Sequence, residues 1–285
     1  MKDYRLKWVD DVVDYLDTVE VKYDENTEYS IYLPDYKVAI DFYSLYHHSD
    51  LKGGKDKTYH FNKWKKAQDN GITLYSYFED ELITSFPIIL NKIRYIVSKN
   101  TQVIGGRKCV IGDTLPKQER DFLNSYHIQG GSNARNKTIG AYHNNLTLVA
   151  IMSWLKKPKY LEITRFACDS KASYPGLFSK MMKHMIKELD YKGPIVSFSN
   201  NGHSNGGVYN ASGFTNVNEQ RGAYWYTHDY LERENRQSFM KINIKQKFNL
   251  TQEYVDAHTE WQMMQEFNYD RVWDSGKIKW ELIIE

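Results

Sequence analysis

Residues 28–50, EYSIYLPDYKVAIDFYSLYHHSD, and residues 59–81, YHFNKWKKAQDNGITLYSYFEDE, decide how the chain begins to fold. Glu28 to Leu33 alternates polar and apolar side chains and is rich in Ile and Tyr, the pattern of a half-buried strand. Pro34-Asp35 supplies a turn, and Lys37 to Tyr43 resumes as a second strand. The spacing of Phe61, Trp64 and Ala67 predicts a helix from Tyr59 to Asp69, closed at Asn70-Gly71, and Ile72 to Phe78 follows as a third strand. One helix therefore crosses over between strands. The hairpin carries Glu28 and Asp41, and the helix carries His60 and Lys63. A frame of that kind suits a divalent metal held against a phosphodiester.

Before this stretch, Trp8, Val12, Val13 and Leu16 share one stripe of a helix expected over Tyr4 to Leu16. After it, Phe86, Ile89, Leu90, Ile93 and Ile96 repeat at helical spacing, with Pro87 interrupting the helix near its start. Composition then shifts over Ser98 to Gly106. Two domains are expected on this reading, 1–98 and 99–285.

The second domain opens with a strand in GRKCVIGD (106–113) and a helix from Pro116 to His127 with Phe122 and Leu123 on its apolar face. A Gly/Ser/Asn loop, Gly130 to Lys137, precedes two strands, Thr138 to Tyr142 and Leu146 to Leu155, joined by a turn at Asn144-Asn145. Tyr160 to Cys168 reads as the next strand. A helix over Leu177 to Leu189 buries Phe178, Met181, Met182, Met185 and Ile186, and strands follow at Ile195 to Ser199 and Tyr224 to Thr227. The tail has helical spacing over Thr251 to Phe267 and ends in RVWDSGKIKWELII, read as a terminal strand. Its Arg271, Trp273, Lys277, Lys279 and Trp280 also make an aromatic and basic mix suited to stacking bases. The elements together give a mixed α/β (α+β) class.

The 285 residues are 41% hydrophobic and 26% charged, an ordinary composition for a water-exposed chain. No apolar run approaches the roughly 18 residues of a membrane span, and acids arrive too early in MKDYRLKWVDD for a signal peptide. Cys109 and Cys168 lack metal-ligand spacing, so two reduced thiols in a cytoplasm are expected. The net charge of +2 excludes a uniformly basic coat. Any DNA affinity must come from local patches, such as Lys52, Lys55, Lys57, Lys63, Lys65 and Lys66, or Lys156, Lys157 and Lys159. Solvated faces are the plain alternative for both.

IYLPDYKVAID (31–41), LYHH (45–48), YHFNK (59–63) and GITLYSYFEDE (71–81) together resemble the PD-(D/E)XK nucleases of the very-short-patch-repair type, and most closely the Hef-like homing endonucleases of T-even-type phages. The resemblance implies a mixed sheet with flanking helices, a double-stranded DNA partner and a phage-infected bacterial cytoplasm. It implies Mg2+ or Mn2+ held by Asp41 and Glu28, with His48, His60 and Lys63 beside the scissile phosphate. The chain departs from the pattern where the relatives carry an Asp ligand, here Ser30, and where they carry Asn or Lys, here Tyr43. A serine hydroxyl is a poor substitute for a carboxylate on a hard cation. Glu28, two residues before Ser30 on the same strand face, is the expected compensation. A paired His47-His48 is a weaker candidate for a transition metal.

VYNASGF (208–214) matches the acetyltransferase pattern in which a helix ending in Tyr-x-x-x-Gly-Phe follows the fifth strand, so the second domain resembles an N-acetyltransferase-like (GNAT) fold. In such folds a Gly-bearing turn and helix N-terminus hold the pyrophosphate of coenzyme A. Gly176 and Ser179 stand at that place, and acetyl coenzyme A or a related donor is the implied cofactor. The run from KYLEITRFACD to GAYWY is also distantly similar to the Mom family of phage DNA-modifying proteins, through Glu162 and Arg165 on one strand and Tyr209 beyond a Gly-rich approach. His203 is a further base candidate in that approach. Structural alternatives remain open: Arg165 pairing with Glu162 or Asp169, Tyr209 packing, His203 exposed.

Two functions follow. Either the chain is a DNA-binding homing-endonuclease relative acting through Asp41, or a nuclease-dead DNA-positioning module is fused to a GNAT-like transferase acting on DNA bases or an amine.

Overall fold

The computed structural model describes residues 7–25, 28–98, 101–131, 136–144 and 147–285. Asn145 of the expected turn and Tyr4 of the expected first helix lie outside them. The chain divides into two compact units: 1–84 with 200–203 and 220–277, and 85–199 with 204–219 and 278–285.

In the first unit α1 (Lys7–Thr18) buries Trp8, Val9, Val12 and Leu16, the apolar stripe read from its spacing. Strands β1 (Ile31–Leu33) and β2 (Val38–Tyr43) form the expected hairpin, with Ile31 opposite Ile40. A 3-10 turn at Pro34–Tyr36 joins them, and Lys37 at φ 50° ends it. β3 (Thr73–Phe78) runs parallel to β2, Val38 pairing Thr73 and Tyr43 pairing Phe78. Parallel neighbours need a crossover, and α2 (Tyr59–Asp69) supplies it. Every residue of β2 is buried, as the middle strand of the β1-β2-β3 sheet requires.

The helix α3 (Glu79–Val97) is non-helical at Ser85, two residues ahead of Pro87, which cannot complete the backbone ladder. The division between the units falls at the same point.

The second unit is built on a seven-stranded sheet. Its strands enter as β4 (Cys109–Asp113), β5 (Lys137–His143), β6 (Thr147–Lys156), β7 (Leu161–Cys168) and β8 (Gly193–Asn200), with helices α4 (Pro116–Tyr126) and α5 (Leu177–Leu189) between them. After α6 (Gly207–Asn210) and β9 (Thr215–Gln220), the chain supplies β10 (Tyr224–Thr227), β11 (Glu234–Asn235), α7 (Lys241–Lys247), α8 (Gln252–Ala257), α9 (Glu260–Glu266), β12 (Asp270–Trp273) and finally β13 (Lys277–Ile284). The order is β4-β5-β6-β7-β8-β13-β9. β4 to β7 are antiparallel neighbours, and β7 and β8 are parallel with α5 as their crossover. α5 buries Leu177, Phe178, Met181, Met182 and Met185, close to the apolar face expected of it.

Residues 220–277, expected to extend the second domain, group with the first unit. A β11-β10-β12 sheet and α7 to α9 enclose their own core of Tyr226, Phe239, Ile244, Val255, Met263, Met264 and Tyr269. The carboxylate of buried Asp270 accepts the Leu51 and Lys52 amides, and Arg271 pairs with Asp50 at 2.6 Å. These ties join residues about 220 positions apart, which no local pattern announces. The single helix expected over Thr251 to Phe267 is two, because Thr259 caps α9 with a capping box through Gln262.

Candidate functional site

The expected hairpin forms in the first unit, and its Asp41 carboxylate is already engaged. Asp41 is 2% exposed, and its Oδ1 accepts the Ser30 amide at 2.9 Å. Its Oδ2 accepts the Tyr43 hydroxyl at 2.8 Å and stands 2.6 Å from the Lys63 ammonium. That ammonium also lies over the rings of Tyr29 and Tyr43, at 5.3 and 5.6 Å. A lysine from α2 therefore sits against the carboxylate where the sequence reading expected a metal. Glu28, the expected second ligand, points elsewhere: it pairs with Lys66 at 2.7 Å and is about half exposed. Ser30 Oγ accepts the Phe42 amide. Among the described residues no group of three or more His, Cys, Asp or Glu is placed to hold a metal ion. The donor set does not fit Mg2+ or Mn2+, which need several oxygens free to converge.

The two histidines expected here are brought together. His48 and His60 stack at 5.1 Å, and His48 stacks on Tyr43 at 4.1 Å. His60 is 1% exposed, and among the described residues neither of its ring nitrogens has a hydrogen-bond partner; nor does Nδ1 of His48. Burial, then the charge of Lys63, pushes the His60 pKa down to about 3, while burial and the neighbouring His60 push His48 down to about 2. Both rings are neutral at pH 7. His47 is exposed and packs edge-on to Tyr46, away from any paired coordination.

His203 is not with the transferase candidates. It belongs to the first unit, where its Nε2 lies 3.2 Å from Glu81 and its ring stacks on Tyr77. Arg233 bridges Asp80 and Glu81 beside them and covers the Phe78 ring at 4.1 Å. Although burial opposes it, that paired charge holds the Glu81 carboxyl well below the usual range.

In the second unit, β7 and β8 pair only from Leu161↔Ile195 to Ile163↔Ser197. Beyond that point the strands part. On its other side β7 carries a bulge, since Ser153 pairs Arg165 while Trp154 pairs Ile163, leaving Thr164 as the extra residue. The Thr164 hydroxyl donates to the Ser153 carbonyl and accepts from Asn136 Nδ2.

Tyr209 reaches the end of the paired segment. Its hydroxyl is 2.9 Å from Ser197 Oγ, which donates to the Ile163 carbonyl at 2.9 Å. Trp280 stacks on its ring at 5.8 Å, and Phe178 meets it edge-on at 5.5 Å. Burial raises the Tyr209 pKa, so the phenol keeps its proton at neutral pH. Just before α6, Gly206 at φ 71° lies so close to Trp280 that a Cβ would sit 2.2 Å from the indole. Gly206→Ala is expected to lose about 2–4 kcal/mol through positive-φ strain and overpacking, read from urea unfolding.

Gly176, at φ 76°, precedes α5, whose first turn has no side-chain cap. An uncapped helix start of this kind suits a donor phosphate. One flank is closed, however: Gly106 donates to the Pro175 carbonyl, and a Cβ on it would sit 2.7 Å from the Leu177 nitrogen. Ser179 does not face a donor, because its hydroxyl bonds Ser212 at 2.9 Å. Lys180 bonds the carbonyl of Cys109.

Arg165 pairs with neither acid weighed from the sequence. Glu162 meets Lys157 at 3.8 Å, and Asp169 accepts the Tyr174 hydroxyl and the Lys171 amide. Trp280, read from the sequence as part of a base-stacking mix, is buried and packs on Tyr209, while Ser197 and the pairing of Lys63 with Asp41 were not singled out by sequence reasoning. Only the Gly-Gly approach before Tyr209 hinted at the close ring above it.

No family model matches the chain, and no curated protein matches it. Solved structures similar to it include acetyltransferases. The ribosomal-protein-S18-alanine N-acetyltransferase from Escherichia coli is 13% identical over 62% of this chain and 94% of that one, with a TM-score of 0.38. A GNAT family acetyltransferase from Elizabethkingia anophelis, solved with acetyl-CoA bound, is 13% identical over 62% and 99%, with a TM-score of 0.35. The spermidine/spermine N-acetyltransferase from Vibrio cholerae is 6% identical over 62% and 94%, at 0.34. With TM-scores below 0.5, these likenesses leave the chemistry of this chain to its own residues.

Proposed function

We propose that the second unit is a GNAT-like group transferase, moving an acyl group from a coenzyme A thioester to an amine or a DNA base. The observation that supports it is the parting of β7 and β8 after Ile163 and Ser197, with the Tyr209 hydroxyl fixed by Ser197 at that point. The thioester would supply an activated carbonyl. The uncapped start of α5 would hold its phosphates. Buried and still protonated, Tyr209 holds a proton at the gap, where a departing thiolate needs one.

Tyr209→Phe is expected to lower turnover with acetyl coenzyme A and an amine panel by about 10²-fold, with donor affinity unchanged. Calorimetric titration with acetyl coenzyme A and the same assay on wild type check both halves. No donor binding to wild-type protein would overturn the reading.

The first unit, on this proposal, positions DNA without cutting it. Both Asp41 oxygens are taken and the metal set does not fit. Supercoiled DNA incubated with protein and Mg2+ or Mn2+ is expected to stay un-nicked. Nicking that Asp41→Ala abolishes would restore the nuclease reading.

A further inference from the structure

The proposed transferase leaves open what its acceptor looks like, and one side chain on the α4 face of the sheet bears on that. Ile151 and Ala167 pack with Phe122 and Leu123 of α4, so this face of β6 and β7 lies beneath that helix. Two residues along, Ser153 pairs Arg165, and cross-strand partners point to the same side. Arg165 therefore lies on the α4 face, directly after the Thr164 bulge.

Its guanidinium is half-buried, yet among the described residues it meets only main-chain oxygens. Nε donates to the Gly130 carbonyl at 3.4 Å and one Nη to the Thr164 carbonyl at 2.8 Å. Guanidinium carries five N–H donors and stays charged at any physiological pH. Taking such a charge partly out of water without a carboxylate is unfavourable, which makes an unpaired but oriented arginine uncommon as a purely structural device. The bulge gives the orientation: its extra residue turns the Thr164 carbonyl into an acceptor for the arginine that follows.

The neighbours have the opposite character. Ser153, fully buried, accepts from Thr138 and donates to Glu119 of α4 at 3.4 Å. Glu119 thus meets the serine that is the cross-strand partner of Arg165.

We infer that Arg165 binds an oxyanion carried by the acceptor, a phosphate or a carboxylate. This rests on the transferase reading for the word acceptor, but the anion site stands on Arg165 alone. Planar, forked donors favour oxyanions over halides of the same charge.

The test uses full-length protein labelled with 15N-arginine, the Arg165 side-chain signals being assigned by their absence in Arg165→Lys. Inorganic phosphate and sodium acetate are titrated separately at constant ionic strength, with chloride as control. The expected result is a saturable shift of the Arg165 signals with phosphate or acetate and none with chloride. Response to phosphate alone marks a phosphorylated acceptor, and response to acetate alone a carboxylated one. In parallel, the same anion should raise the melting temperature of wild type but not of Arg165→Gln. Both proteins should keep the same acetyl coenzyme A affinity. An unchanged Arg165 signal in wild type overturns the inference whether or not the variants fold, as does an equal melting shift in wild type and Arg165→Gln. Loss of acetyl coenzyme A binding in wild type, with the saturable Arg165 shift retained, would instead sink the transferase reading and leave the anion site standing.

Discussion

Lys63→Met is expected to destabilise the protein by about 3–5 kcal/mol, because it strands a buried carboxylate. Asp41 is 2% exposed and keeps only the Ser30 amide and the Tyr43 hydroxyl once the ammonium is gone. The pair itself is not the source of that number. Its Coulombic gain is offset by taking two charges out of water, so removing both should cost much less than removing one. Lys63→Met combined with Asp41→Asn is therefore expected to recover most of the loss. Urea unfolding at pH 7 of the two single variants and the double variant closes the cycle. If the double variant is as unstable as the sum of the singles, the two groups are not coupled and the ammonium is not the hairpin's resident cation.

Acid should weaken the same region as the pH falls below the ordinary histidine range. The folded pKa values of His48 and His60, about 2 and about 3, lie below the ordinary histidine value of 6.5. The folded state thus binds fewer protons than the unfolded chain once the pH drops under that value. Stability is full above pH 6.5 and is lost as the pH falls from there toward the folded values. Two groups, each losing about 1.4 kcal/mol per pH unit, give about 5 kcal/mol between pH 6.5 and 4.5. The groups facing the pair make this worse rather than better, since Lys55, Lys63 and Arg233 all disfavour a second positive charge at His60. Replacing both rings by phenylalanine keeps the stack with Tyr43 and removes the titration. Urea unfolding from pH 7.5 to 4.5 should show a steep slope in wild type and a shallow one in the double variant. Equal slopes would mean the rings gain protons without leaving their places.

Local pattern reached far into this protein. The hairpin, the α2 crossover and the parallel third strand follow from alternation, the Pro34-Asp35 turn and the Asn70-Gly71 stop, all within fifty residues. The α5 face of Phe178, Met181, Met182 and Met185 was legible for the same reason. Candidate residues were legible as types: Asp41, Lys63, His48 and His60 were each picked out, as were Tyr209 and Arg165.

The pairing of those residues was not legible. Periodicity says which face a side chain takes but not which charge it meets, so Lys63 against Asp41 and Glu28 against Lys66 had to come from the folded chain. His203, read beside Tyr209 in sequence, meets Glu81 more than a hundred residues earlier. The grouping of 220–277 with the first unit depends on the Asp270 and Arg271 contacts to the 50–52 loop, which are non-local by more than two hundred residues. Sequence by itself determined most of the elements, because hydrogen bonding and amphipathic burial act over a few residues. Only tertiary structure decided which carboxylate is neutralised by which cation, and that Arg165 meets no carboxylate among the described residues, because Coulomb attraction and desolvation depend on distance in space and not along the chain.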